Sequence, residues 1–338
     1  MATVAKVAAE AGVSPSTVSR VLSGKAGGLI SQATQERIHE VAARLGYRPS
    51  AAAQALATGR ARTVAFCCYP AYDSGMARLL HAVHDPVRAA GYHLLLVHPE
   101  TTEEVGRLLV EQRVDAVVWV HYPVHEADAL VESLGAPHQI VIAIGEMQDA
   151  PPQLVSSAVW HDHDGMSRIL QHLTELGHRH VAFLQGHVEL LHSKLQAFER
   201  VCAEMGLRHD IIRCADESDR ITAGAEMTRQ VLQSPERPTA LVTRIDDFAF
   251  GAMQQLQNAG LRVPEDMSVV GYHDTFEARH SCPPLTSLRT PELEGIASLM
   301  PMALAALDSP DDEPNVPVCL HLQTELVLRN TTSPPTGK

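Results

Sequence analysis

A chain of 338 residues exceeds one ordinary compact domain and suits one large domain with a small accessory module. Its 45% hydrophobic content and mean hydropathy of -0.05 exclude a disordered or membrane-embedded chain. The net charge of -13 speaks against nucleic acid only as an average: residues 1–62 hold eight Lys and Arg against three acids, which leaves +5 there and -18 on the remainder. A basic head on an acidic body points to a nucleic-acid-binding module joined to something else. The N-terminus lacks the cationic start and apolar core of a signal peptide, and no apolar run approaches the roughly 18 residues of a membrane span. The sequence therefore predicts a cytoplasmic, nucleoid-associated protein with no membrane partner. The six cysteines form no C-x-x-C pair, and the adjacent Cys67 and Cys68 sit in an apolar run, so buried free thiols are expected in place of a disulfide framework.

Between Val4 and Leu22, two apolar stripes flank one glycine. Val7, Ala8 and Ala11 share one helical face, and Val18, Val21 and Leu22 share another. Gly12 supplies the turn, Ser14 is placed to cap the second helix, and Pro15 takes its first position, where a missing N–H costs nothing. The small Ala8, the glycine and Val18 have the spacing of a helix-turn-helix. On the second helix Pro15, Ser16, Ser19 and Arg20 face away from the stripe. In a major groove Ser16 and Arg20 would reach base edges, while Thr17 and Ser19 suit phosphate contacts. A third helix is predicted from a cap at Ser31 through Ile38, Val41, Ala42 and Leu45 to Gly46. After it, Ser50 to Gly59 reads as an Ala-rich helix of roughly nine residues, too short to persist alone in water.

The run Val13-Ser14-Pro15-Ser16-Thr17-Val18-Ser19-Arg20-Val21-Leu22, followed by Leu45-Gly46-Tyr47-Arg48-Pro49, resembles the LacI family of bacterial transcriptional repressors. The resemblance implies a hinge helix that orders on operator DNA and a leucine from each subunit wedged into the central minor groove, positions matched by Leu56 with Ala53 one turn before it. Two departures appear. Lys6 replaces a usual acid, and the loop Gly24–Ile30 is longer than usual by about two residues.

From Thr63 onward, apolar runs recur at intervals of about 23–30 residues with helical stretches between them: 64–68, 94–97, 116–120, 140–144, 181–184, 211–214, 240–243 and 268–272. This is the alternation of a parallel, doubly wound sheet. The longer interval from Ile140 to Val181 contains Val155–Trp160 and marks a crossing between two lobes, with a ligand cleft expected between them. The family resemblance continues through His172–Phe183, Val263–Tyr272 and Pro283–Thr286. It implies an N-terminal all-α helix-turn-helix head plus an α/β periplasmic-binding-protein-like (type I) bilobed effector domain. The expected boundaries are 1–48 for the DNA-binding domain, 49–62 for hinge helix and linker, and 63–332 for the effector-binding and dimerisation domain. Lobe 1 would hold about 63–159 and 291–319, and lobe 2 about 160–290 and 320–332.

The cleft positions carry over less cleanly. The family usually has Arg at Lys194, an Asn-Asp pair at Ile245-Asp246, and Asp at His273 ahead of Asp274. Lys194 and His273 in place of Arg and a carboxylate shift the expected cleft toward positive potential, which suits an acidic effector such as a sugar acid or sugar phosphate. Drift around an ordinary sugar site, or a lost one, is the competing reading. Tyr69, Asp73, His121 and Trp160 are further candidates at the cleft mouth. Trp160 suits either ring stacking or the core, and His121 either a pocket or a solvated loop. Histidine-rich segments at 161–164 and 178–180 have ligand-type residues but no third ligand nearby in sequence, so no metal is expected.

An enzyme and a solute-binding protein are the competing classes. The chain has no G-x-S-x-G elbow, phosphate-binding G-K-[ST] loop, H-E-x-x-H or early G-x-G-x-x-G, so neither a catalytic residue nor a cofactor is predicted. The basic helix-turn-helix head argues against a transport protein. The expected partners are double-stranded operator DNA, a small carbohydrate or related acid, and a second copy of the chain. A tetramer is left open, although no leucine heptad follows Arg329.

Overall fold

A computed structural model describes residues 3–22, 29–47, 60–68, 74–120, 125–134, 140–147, 151–187, 192–308 and 316–336. The chain divides into two units, 1–63 with 108–115, and 64–107 with 116–338.

The first unit is built on three short helices that begin where the sequence places caps. α1 (Val4–Ala11) starts after Thr3, whose hydroxyl accepts from the Lys6 N–H, and stops at Gly12 in the left-handed region at φ 67°. α2 (Pro15–Leu22) starts where the Ser14 hydroxyl accepts from the Thr17 N–H at 3.2 Å. α3 (Gln32–Arg44) is capped by Ser31 through the Thr34 N–H. Val7, Ala8, Ala11, Val18, Val21, Ile38, Val41 and Ala42 close one small core. The expected hinge helix, with Ala53 and Leu56, lies outside the described residues.

In the second unit the chain first builds one lobe: β1 (Thr63–Cys68), α4 (Ser74–Ala89), β2 (His93–Val97), α5 (Thr102–Val110), β3 (Ala116–Val120), α6 (His125–Leu134), β4 (Ile140–Glu146) and β5 (Ser156–Trp160). It then crosses to the other lobe with α7 (Asp162–Glu175), β6 (His180–Leu184), α8 (His192–Met205), β7 (Arg208–Ile212), α9 (Arg220–Gln233), β8 (Ala240–Thr243), α10 (Asp246–Asn258), β9 (Ser268–Tyr272) and β10 (Thr286–Arg289). It returns to the first lobe with α11 (Glu292–Asp308) and β11 (Cys319–His321), and ends in the second with β12 (Glu325–Val327).

Each lobe is one six-stranded sheet, in the orders β11-β5-β4-β3-β1-β2 and β12-β10-β9-β8-β6-β7. β10 pairs antiparallel with β12, and the pairings β1–β3, β3–β4, β4–β5, β5–β11, β6–β7, β6–β8, β8–β9 and β9–β10 are parallel. Strands covered on both faces read as unbroken apolar runs, and β3 is buried at all five positions. β2, at a sheet edge, is mostly exposed. Because Cys319–His321 pair with Ser157–Val159, the last crossing falls after His321 and not at the expected 319.

α9 and α10 pack backbone against backbone through two glycines. A Cβ on Gly251 would collide with the Ile221 carbonyl oxygen and lie 2.8 Å from the Ala225 nitrogen, and one on Gly224 would lie 2.7 Å from the Phe248 Cα. Neither neighbour is a flexible side chain, so the helices themselves would have to separate. Gly251→Ala is expected to lower stability by about 2 kcal/mol, read as a lower midpoint in urea unfolding. An unchanged midpoint would show that the helices part freely.

Candidate functional site

Two clusters draw together the residues singled out from the sequence. On α2, Pro15, Ser16, Ser19 and Arg20 are exposed while Val18 and Val21 are buried, so the packing face and the exposed face separate as the periodicity requires. The Ser14 hydroxyl bonds those of Ser16 and Thr17, each at 2.8 Å, which holds the first turn rigid and leaves Thr17 half-buried. Ser31 is exposed but bonded to the Thr34 hydroxyl and N–H, so its visible role is to cap α3.

In the second unit, Lys194, Asp246 and His273 line one cavity of about 350 Å³. Both lobes supply its walls: Glu146 at the end of β4 and Glu292 at the start of α11 from the first, and Lys194, Asp246 and His273 from the second. Trp160 is not in that wall. It is 1% exposed and packed within the first lobe's core, so the stacking role is corrected to a core one. Tyr69, Asp73 and His121 lie outside the described residues. Sequence reasoning missed Glu146, Arg220, Arg289 and Glu292. Glu146 closes an apolar strand and Glu292 follows Pro291 at a helix start, so strand-end and first-turn acids were the available signal.

Lys194 is 2% exposed, and its ammonium lies 2.9 Å from His273 Nε2, 3.4 Å from Glu146 Oε1 and 4.3 Å from the centre of the Tyr272 ring. An ammonium only donates, so His273 Nε2 accepts and its Nδ1 carries the proton. That Nδ1 lies 3.1 Å from the Thr290 hydroxyl and 3.3 Å from Glu292 Oε1. His273 reaches this place through an unusual backbone: it and Asp274 both have positive φ, 98° and 48°. Such conformations cost on the order of 1–3 kcal/mol each and persist only when their surroundings hold them. Here the buried Asp274 carboxylate accepts from Arg289 at 2.7 Å and 2.9 Å and from Arg329 at 2.5 Å, while the Ser287 hydroxyl accepts from its N–H.

The expected positive cleft is corrected by its lining, which among the described residues contains seven carboxyl residues against four Lys and Arg. Asp246, Asp247, Glu292 and Glu294 stand in the first turns of α10 and α11, where the helix dipole favours them. Lys194 and His273 are engaged with each other and with carboxylates, so neither is an open anion contact. Burial pushes the Asp246 carboxyl up to about 7, against bonds donated by the Ser287 hydroxyl at 2.6 Å and the Thr275 N–H at 2.7 Å. Burial, and next the Glu146 charge, raise Asp162 to about 7 as well, while the Tyr272 hydroxyl donates to it at 2.6 Å. Among the described residues no group of three or more His, Cys, Asp or Glu could hold a metal ion. His163 faces Glu204, His178 bonds Thr239 and Ser268, and His180 bonds Asp210.

Residues 3–50 match the bacterial regulatory proteins of the lacI family, and residues 170–332 match the periplasmic binding protein-like domain. The chain is 30% identical over 327 residues to the HTH-type transcriptional regulator AscG of Escherichia coli (strain K12), covering 93% of this chain and 94% of that one. It is 28% identical over 339 residues to the HTH-type transcriptional repressor PurR of Aliivibrio fischeri (strain MJ11), covering 98% of each. Among solved structures, the Lac repressor dimer bound to operator and the anti-inducer ONPF aligns with a TM-score of 0.79 at 25% identity, over 98% of this chain and 99% of that one. The transcriptional regulator CelR in complex with cellobiose aligns with a TM-score of 0.65 at 26% identity, over 98% and 100%.

The raised Asp246 gives the cleft a pH signature. A carboxyl that ionises near 3.9 when unfolded and near 7 when folded holds its proton longer in the native state, so its contribution is full below pH 4 and is lost as pH rises through 7. The stability gap between the parent and Asp246→Asn is expected to narrow from pH 4 to 7 and stay level above it, measured by urea unfolding. A gap independent of pH would contradict the assignment.

Proposed function

The chain belongs to the lacI family of bacterial regulatory proteins, and from that premise we propose that it is a ligand-responsive transcriptional repressor. In this reading it binds a pseudo-palindromic operator in double-stranded DNA as a homodimer, and a small neutral polyhydroxylated effector in the cleft tunes its affinity. The observation that carries the reading is a single chain that holds both an exposed helix-turn-helix face at Ser16, Ser19 and Arg20 and a cavity walled by two lobes. A solute-binding protein would have no use for the first, and the cavity wall offers partners for hydroxyls without needing catalysis.

Arg20 is the proposed base reader, with Ser16 beside it, and Thr17 and Ser19 meet phosphates. Leu56 is the proposed minor-groove wedge at the dimer centre, with Ala53 one turn before it. The proposed division keeps 1–48 for DNA, 49–62 for the hinge and 63–332 for effector and dimer. Leu95 and Leu96 are exposed on the edge strand β2, as are Ile221 and Phe276 around a groove on the second lobe, and such patches support pairing of two copies. Two heads would then sit about one helical turn apart on the operator. The acid excess of the lining favours a neutral ligand over the sugar acid or phosphate suggested by Lys194 and His273 alone. The solved regulator CelR in complex with cellobiose is consistent with that class.

Two measurements test the reading. On DNA selected by the parent from a random library, Arg20→Ala is expected to weaken binding by about 1–3 kcal/mol and relax one base position. Failure of the parent to enrich any sequence would contradict DNA recognition. In a thermal-shift panel, a neutral sugar such as cellobiose or ribose is expected to raise the melting temperature, by about 2.7 kcal/mol of stabilisation at a concentration near 100 times its Kd. Stabilisation only by gluconate or glucose 6-phosphate would overturn the neutral assignment.

A further inference from the structure

We propose that Glu146, Lys194, His273 and Glu292 form a latch that holds the two lobes together in the effector-free protein and that an effector opens when it enters the cavity. The effector half of this inference rests on the reading of the cavity given above.

The two end members come from the first lobe and the two middle members from the second. Glu146 ends β4 and Glu292 opens α11 in the first lobe, while Lys194 stands on α8 and His273 follows β9 in the second. Their bonds are continuous: Glu146 to Lys194 at 3.4 Å, Lys194 to His273 at 2.9 Å, and His273 to Glu292 at 3.3 Å. The side chains are 10%, 3%, 21% and 8% exposed in chain order, so water cannot readily take over these partners. The chain of bonds also lies beside two of the three lobe crossings. Tyr272, below the Lys194 ammonium, donates to Asp162 at the first crossing, and His273 is bonded to Thr290 and Glu292 at the second. A change in the length of this chain therefore alters the angle between the lobes.

Lys194 beside an accepting His273 places a positive charge in the second lobe, which Glu146 of the first lobe meets at 3.4 Å and which the buried Asp162 of the second lobe also feels. An effector hydroxyl set between Lys194 and either partner would replace a bond within the latch and free the lobes.

Distances between spin labels in the effector-free full-length chain test this directly. Labels go on cysteines introduced at Arg107 of α5 and Arg229 of α9, both exposed, with Cys282 and Cys319 replaced by serine; Cys67, Cys68, Cys202 and Cys214 are buried. Labelled chains are diluted into unlabelled protein to suppress signals between copies. The parent is expected to give one narrow short-distance population. Glu146→Gln, and separately the double variant Lys194→Arg with His273→Asp, which keeps an ion pair inside the second lobe, are expected to lose that population to a longer, broader one. Retention of the parent distribution in both variants overturns the latch, and a sugar that still raises the parent's melting temperature would then leave the cavity reading standing. If no sugar does so, the cavity reading falls while the distances still decide the latch.

Discussion

A lysine ammonium enclosed between two lobes has to be met by acceptors, and the cleft is arranged around that requirement. Lys194 stands where water hardly reaches, and its charge is met by Glu146 from the opposite lobe, by the accepting ring nitrogen of His273 and by the face of Tyr272. Removing one partner of such a buried pair typically costs about 3–5 kcal/mol, more than most single contacts in a domain. His273 can play its part only from a left-handed backbone, and that backbone is held by the double arginine grip on Asp274, one arm of which comes from Arg329 near the end of the chain. Residues far apart in sequence are therefore bound to one electrostatic arrangement.

The two ends of the protein use charge in opposite ways. The head carries its positive excess on a rigid scaffold, where Thr3, Ser14 and Ser31 fix the helix starts and a small apolar core fixes their crossing. On the proposed reading, phosphate contacts made from such a scaffold would set position and give salt-dependent affinity, and specificity would fall to the few side chains on α2 placed to reach base edges. In the body, acids crowd the cavity, but four of them sit at helix starts that favour negative charge. The -18 of that segment is thus partly a consequence of how its helices begin.

Much of the fold was legible because its signals are local. Gly12, Ser14 and Pro15 mark the turn and the second helix within a few residues of each other, and the central strands β1, β3, β6 and β8 are unbroken apolar runs. The strands β10, β11 and β12 escaped notice, being three or four residues long; β10 is Thr-Ser-Leu-Arg, whose hydroxyls are used internally by Asp246, Asp274 and Arg329. The site was half legible. Lys194, Asp246 and His273 could be placed through the family pattern, whereas Glu146 and Glu292 come from the other lobe and no spacing rule joins them to Lys194. The expectation of a positive cleft failed for the same reason, since a sequence counts cations without saying which carboxylates face them. Trp160 ends a strand just where a stacking residue would, and only its burial among core side chains separates the two roles.

The central claim is that one chain carries a DNA-reading face and a ligand cleft whose occupancies are coupled. The most direct test is to titrate the full-length protein with its selected operator in the absence and presence of a saturating sugar from the stabilising set, and then to repeat the sugar titration with and without operator. The account predicts a changed operator Kd, with the sugar's Kd changing by the same factor, as linkage requires. Operator and sugar affinities that are each indifferent to the other ligand would contradict it.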